Sequence, residues 1–354
     1  MDALHRRSWR PFVACIAGLA LAGASLAARA ADGARPGVSF THKDWSVDCD
    51  NTGTCRASGY QRDEDPLPVS VLLTRAAGPD APIAAQVQFG SGGDDATSPD
   101  GPVHMSIGGR AAGTVVDSKD MAAAQVAALL KALTGTGEVV FTAGKMRWRL
   151  SGDGAAAVLL KMDDVQGRLG TPGALVKKGP KAESSVPAPV KAPVIQAVRV
   201  PASAKVDLPL ALRILATIPK DGDCDELAEL QAAKEPDTSD VDLWRLGGGR
   251  VLVTALCWRG AYNAGNGYWI ASDKPPYDAK LVTTQADTFA PETGELSGAS
   301  KGRGLGDCWS NASWVWDGRA FVHAAEATSG QCKMVAPGGA WNLPTLVSEV
   351  RKPR

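Results

Sequence analysis

The chain has 354 residues, with 38 lysines and arginines against 38 aspartates and glutamates and 44% hydrophobic residues. That length predicts two domains, and the composition excludes disordered, collagen-like and coiled-coil chains. Balanced charge provides no basic footprint for a phosphate backbone, so no nucleic acid partner is expected.

At the start, His5, Arg6, Arg7 and Arg10 precede an apolar run from Phe12 to Ala28, which ends in the small-residue triplet Ala28-Arg29-Ala30. This predicts a signal peptide over 1–30, cleaved near Ala30, and export to the periplasm or the medium. The Gly- and Ala-rich run is too short for a comfortable anchor, and no later stretch is apolar enough to span a membrane. Cys15 sits too early in the run to be a lipidation site.

Cleavage leaves Cys49, Cys55, Cys224, Cys257, Cys308 and Cys332. An even set in an exported chain points to disulfides. Six cysteines allow fifteen pairings, of which Cys49–Cys55, Cys224–Cys257 and Cys308–Cys332 close the shortest loops. Asn51 and Gly53 supply the turn that the first ring needs. No two cysteines have the close spacing of a zinc site, so no metal and no cofactor is expected.

The expected fold class is α+β in two domains. In the first, 36–176, strands are predicted at Trp45–Cys49, Val69–Thr74, Ile83–Phe89, Glu138–Phe141 and Met146–Leu150. Val126, Leu129, Leu130 and Leu133 recur at helical spacing and predict a helix from Lys119 to Leu133 capped by Ser118. A second helix is expected over Gly154–Gln166, capped by Asp153. Residues 177–205 turn to Pro, Ala and Lys and predict an extended, semi-rigid linker.

The second domain, 206–350, is expected to be β-rich, built of antiparallel hairpins after short helices near Leu210–Leu215 and Glu226–Lys234. Val241–Leu246 and Arg250–Leu256 flank Gly247-Gly248-Gly249, which reads as a hairpin turn, not a phosphate cradle, because no helix follows. Ser313–Trp316 and Arg319–Ala324 flank Asp317-Gly318, a pair favouring a type I′ turn.

Several strings also resemble a known family. Phe40 to Cys49, Cys55-Arg56-Ala57, Ala155 to Leu175, Cys257 to Asn263, Cys308 to Phe321 and Cys332 resemble, in order, the bacterial domain-of-unknown-function family 1176. The resemblance spans nearly the whole chain after residue 30 and implies an exported proteobacterial protein of two parts, with no catalytic residues to carry over. Phe40, Trp45, Val47 and Cys49 are also faintly similar to the opening of invasion-associated locus B proteins.

Catalytic signatures are weak. The carboxylates around Asp221-Gly222-Asp223-Cys224-Asp225-Glu226 alternate as in a calcium loop but lack its Gly and Glu positions. Asp163 and Asp164 are helix neighbours pointing apart. Among the bases a nucleophile would need, His42, His104 and His323 read as surface or satisfied histidines.

Aromatic placement is the strongest signal. Of ten tryptophans, seven (Trp244, Trp258, Trp269, Trp309, Trp314, Trp316, Trp341) follow residue 206. Trp258, Tyr262, Trp309, Trp314 and Trp316 are therefore the candidate binding residues, for a glycan or a protein partner of the cell envelope. The expected function is that of an exported, non-enzymatic binding protein. The alternative is an envelope hydrolase whose acids come from separate loops.

Overall fold

The computed structural model describes residues 37–90, 99, 102–201, 206–220 and 224–353. The expected signal peptide lies outside them, as do Asp221, Gly222, Asp223 and the end of the 177–205 segment.

The first half opens with an antiparallel meander of β1 (Val38–His42), β2 (Trp45–Cys49), β3 (Cys55–Tyr60), β4 (Val69–Arg75) and β5 (Ile83–Phe89). Alternation in β2 sends Trp45, Val47 and Cys49 into the core. The polar positions are buried as well, and pair locally: Ser46 Oγ lies 2.9 Å from Ser58 Oγ, and Ser39 donates to Asp48. A second antiparallel sheet comprises β6 (Val103–Ile107), β7 (Arg110–Val115), β8 (Val139–Ala143) and β9 (Met146–Leu150), in the order β7-β6-β8-β9. Helices α1 (Ala123–Leu133) and α2 (Ala155–Val165) complete a single core around Trp45, Phe89, Leu129, Phe141, Trp148 and Met162.

Both helices begin differently from the sequence reading. Ser118 does not cap α1. Its N–H bonds to Val87 O and that of Met121 to Ala85 O, so the chain first runs along β5. The helix then starts at Ala123, where Gln125 Oε1 accepts from the Ala122 amide. Asp153 makes no cap bond to α2, whose first turn is entered through Gly154 at φ +96°. A Cβ there would lie 1.9 Å from His42 O, so both conformation and space require glycine.

Residues 177–201 include a short 3-10 turn at Glu183–Ser185, and much of the segment is seated against the protein. Val186, Ile195, Ala197 and Val200 are buried. Its strand β10 (Val194–Gln196) pairs in parallel with β20 (Glu349–Arg351). The segment leaves the first half through a buried polar cluster. Arg168 donates to Gln166, Glu183, Ala76 O and Gly78 O, and Asp163 accepts from the amides of Leu175 and Val176 while Arg75 lies 3.7 Å away. Burial lowers Arg75 to about 10, so it remains a cation at neutral pH.

The second half contains α3 (Leu208–Leu215), capped by Asp207, and α4 (Asp225–Ala232). One antiparallel sheet has the order β11 (Asp242–Gly247), β12 (Arg250–Arg259), β13 (Ala264–Ser272), β14 (Lys280–Ala286). The other runs through β15 (Thr288–Ala290), β16 (Glu295–Lys301), β17 (Trp309–Trp316), β18 (Phe321–Thr328) and β19 (Leu343–Leu346). Strand β12 reads as a continuous apolar run because both its faces are covered. Val251, Val253 and Ala255 pack on α3 and α4, whereas Leu252 faces Leu296, Trp314 and Trp316 of the other sheet.

Gly247-Gly248-Gly249 forms a hairpin turn as expected, whereas Asp317-Gly318 does not form the two-residue type I′ turn. Gly247 pairs with Arg250, leaving Gly248 at φ +62° and Gly249 at φ +74°, both positive as in type I′. After Trp316 the loop spans four residues, and Asp317 Oδ1 accepts from the amides of Arg319 and Ala320. With twenty strands and four α-helices among the described residues, the protein is more β than α+β, held by the disulfides Cys49–Cys55, Cys224–Cys257 and Cys308–Cys332. The halves meet along a polar seam: Asn51 exchanges two hydrogen bonds with the Val347 backbone, Trp341 Nε1 donates to Ser70 Oγ, and Lys333 Nζ reaches Asp44 and Asp63.

Candidate binding surface

The five aromatic residues singled out from the sequence divide into two groups. Trp314 and Trp316 are core residues, 9% and 1% exposed, packed with Phe289, Leu296 and Leu252 between the sheets. Alternation placed them on one face as expected, but that face is the inner one. They do not contribute to a surface. Trp258 and Trp309 are half-buried, and Tyr262 is 61% exposed.

These last three lie on or beside two adjoining loops, β12–β13 and β16–β17. The first loop is closed by the Gly260 amide bonding to Asn263 O at 2.7 Å. Asn263 then extends across, its Nδ2 donating to Lys301 O and its Oδ1 accepting from Lys301 N, so one side chain binds the loops as a strand would. Tyr262 lies across Gly304, where a Cβ would stand 2.8 Å from its ring. Trp258 crosses its partner Gly265 in the same way and donates Nε1–H to Thr284 O. Trp309 donates Nε1–H to Gly306 O, and the Lys301 ammonium sits 5.4 Å from its ring centroid, a cation–π distance.

Beneath this crown, Asp307 is pinned from both sides. Arg303 grips its two carboxylate oxygens, the Met334 amide donates to one of them, and the neighbouring Cys308 is bridged to Cys332. The Arg303 guanidinium holds the Asp307 carboxyl below the usual aspartate range. Two apolar side chains that sequence reading missed are exposed here, Leu305 at 70% on the β16–β17 loop and Met334 at 52% on the β18–β19 loop. Neither has a sequence signature, because their exposure depends on loop course alone. With Tyr262 they account for three of the nine large hydrophobic residues exposed among the described residues.

Among the described residues, the one group of three possible metal ligands is Asp307, Cys308 and Cys332, but both sulfurs are joined to each other and the carboxylate is held by arginine. His323 stacks on Trp314 at 4.9 Å beside Glu326, whereas His42 and His104 are exposed on β1 and β6. A small acidic cleft elsewhere is lined by Glu226, Glu229, Asp237 and Asp240, with Arg259 between Glu226 and Asp240 at 3.6 and 3.7 Å. Hydrogen bonds from Ser239 hold Asp237 down, opposite to the direction a general acid needs. Asp48 and Asp163 are pushed up by burial, but both are sealed within the first half.

The fold is thus a β-rich, disulfide-stapled one whose motifs fall at structural joints. The chain matches the family described as "Protein of unknown function (DUF1176)" over residues 39–348, and it belongs to that family. It is similar to the uncharacterised protein YpfG of Escherichia coli strain K12, at 27% identity over 335 residues, which cover 86% of this chain and 90% of that protein. No solved structure matches it. Among the described residues, no helix is long and apolar enough to cross a membrane.

Proposed function

We propose that the protein is an exported, non-enzymatic binding protein of the cell envelope, and that its contact surface is the crown formed by Tyr262, Leu305, Trp309 and Met334. The observation that carries this reading is the exposure of apolar side chains on loops fixed by a disulfide, the Asn263–Lys301 exchange and the Arg303–Asp307 pair. Rigid loops lose little entropy on binding, so a small apolar patch there binds more tightly than the same residues on a mobile loop. Export is supported by the sequence of residues 1–30 and by three disulfides, which persist in oxidising compartments. A glycan would stack on Tyr262 and Trp309, with Lys301 available for a sugar carboxylate.

The test is co-sedimentation of the oxidised protein with purified cell-wall sacculi, with the supernatant assayed for released fragments. Saturable pelleting without release, abolished by Tyr262→Ser with Leu305→Ser, is the expected outcome. Absence of pelleting would refute the wall as ligand. Release of sugar or peptide would favour the hydrolase reading, in which case Glu226→Gln and Asp240→Asn in the acidic cleft are the first variants to assay.

A further inference from the structure

A second surface, in the other half of the protein, has the construction of a peptide site. Strand β7 is an edge strand, since its sheet runs β7-β6-β8-β9. An exposed edge offers backbone groups to an incoming strand unless something covers it. Here α1 covers only part. Gln125 Nε2 donates to Ala112 O and Thr114 O, blunting the far end of β7. Toward the Gly108-Gly109 turn, Arg110 and Ala111 are exposed, and a groove of about 730 Å³ separates them from the helix.

The walls of this groove are low. Ala111 and Ala112 line it from the strand, Ala124 and Ala128 from the helix, and Gly135 and Gly137 lie beyond the helix end. A neighbouring strand needs about 4.8 Å of lateral approach, which alanine and glycine permit and larger side chains obstruct. Charge decides what fits. Arg110 and Lys131 both line the groove, no carboxylate does, and neither cation forms an ion pair among the described residues. They are the only basic residues of α1 and β7.

We propose that this groove receives the extended C-terminus of a partner protein, added beside the open end of β7, with its terminal carboxylate between Arg110 and Lys131. A terminus fits better than the middle of a strand because Gln125 leaves only the start of β7 free, which is room for a few residues. Main-chain pairing supplies affinity, the alanine-lined walls admit small apolar side chains, and the two cations select the free carboxylate. The site is independent of the crown proposed above.

The test uses a library of random heptapeptides displayed with free C-termini, selected against the full oxidised chain, with enriched peptides measured by fluorescence anisotropy. The expected result is enrichment of sequences whose affinity falls at least tenfold on amidation of the terminus, and by a similar factor in Arg110→Glu, Lys131→Glu and the groove-filling Ala128→Trp. Melting curves and intact-mass counting of disulfides establish that each variant is folded. Should Ala128→Trp fail to fold, the two charge reversals on exposed residues still decide the matter. The proposal is overturned if no peptide is enriched, if amidation leaves affinity unchanged, or if the charge reversals have no effect.

Discussion

The Tyr60 hydroxyl accepts a hydrogen bond from the Gln331 amide at 3.1 Å, across 271 residues of sequence. Tyr60 is fully buried and belongs to the first sheet, whereas Gln331 adjoins Cys332 of the last disulfide loop. The close approach of the two segments at this point depends on Gly330, at φ +93°, where a Cβ would stand 2.0 Å from the Tyr60 oxygen.

Tyr60→Phe leaves the Gln331 amide without its acceptor, and a loss of about 1–3 kcal/mol in denaturant unfolding is expected. Gly330→Ala should cost more, because it adds both a clash and an unfavourable backbone angle. If Gly330→Ala proves neutral, the close approach is not a feature of the folded protein.

Exposed and buried aromatic residues should separate in experiment. Trp316→Ala opens a cavity between two sheets and is expected to lower stability by about 3–5 kcal/mol. Tyr262→Ser should change stability by less than about 0.5 kcal/mol while abolishing binding at the crown. Thermal unfolding with parallel sedimentation measures both.

Replacing Cys308 and Cys332 together by serine frees a loop of sequence separation 24. The entropic estimate for such a loop is about 3 kcal/mol. Because Met334 and Asp307 lie beside this bridge, binding at the crown is expected to weaken as well. Retained affinity in a folded double variant would show that the bridge does not organise the surface.

Acid should destabilise the protein partly through Asp307. Its folded pKa is depressed by Arg303, so its contribution is complete above the unfolded aspartate value of about 3.9 and is lost as pH falls through the lower folded value. Asp307→Asn should therefore flatten the fall in melting temperature over that acid range while lowering it at neutral pH. An unchanged slope would mean that other carboxylates govern acid unfolding.

Local rules determined much of this protein. The cysteine pairing followed from loop length, and β2, β5 and β9 from alternating or apolar runs with clear ends. Family membership was legible for the same reason, since its motifs are contiguous strings. What required the tertiary structure was everything decided by contacts distant in sequence. Ser118 lost its capping role to a backbone bond with Val87, the proline-rich segment found a strand partner in Glu349–Arg351, and polar Ser46 was buried against Ser58. Alternation could place Trp314 and Trp316 on one face, but only the packing of a second sheet decided that this face is internal. Tyr262, Leu305 and Met334 became a surface because three loops are clamped together by Asn263 and a disulfide, and spatial proximity of that kind leaves no period or motif in a chain.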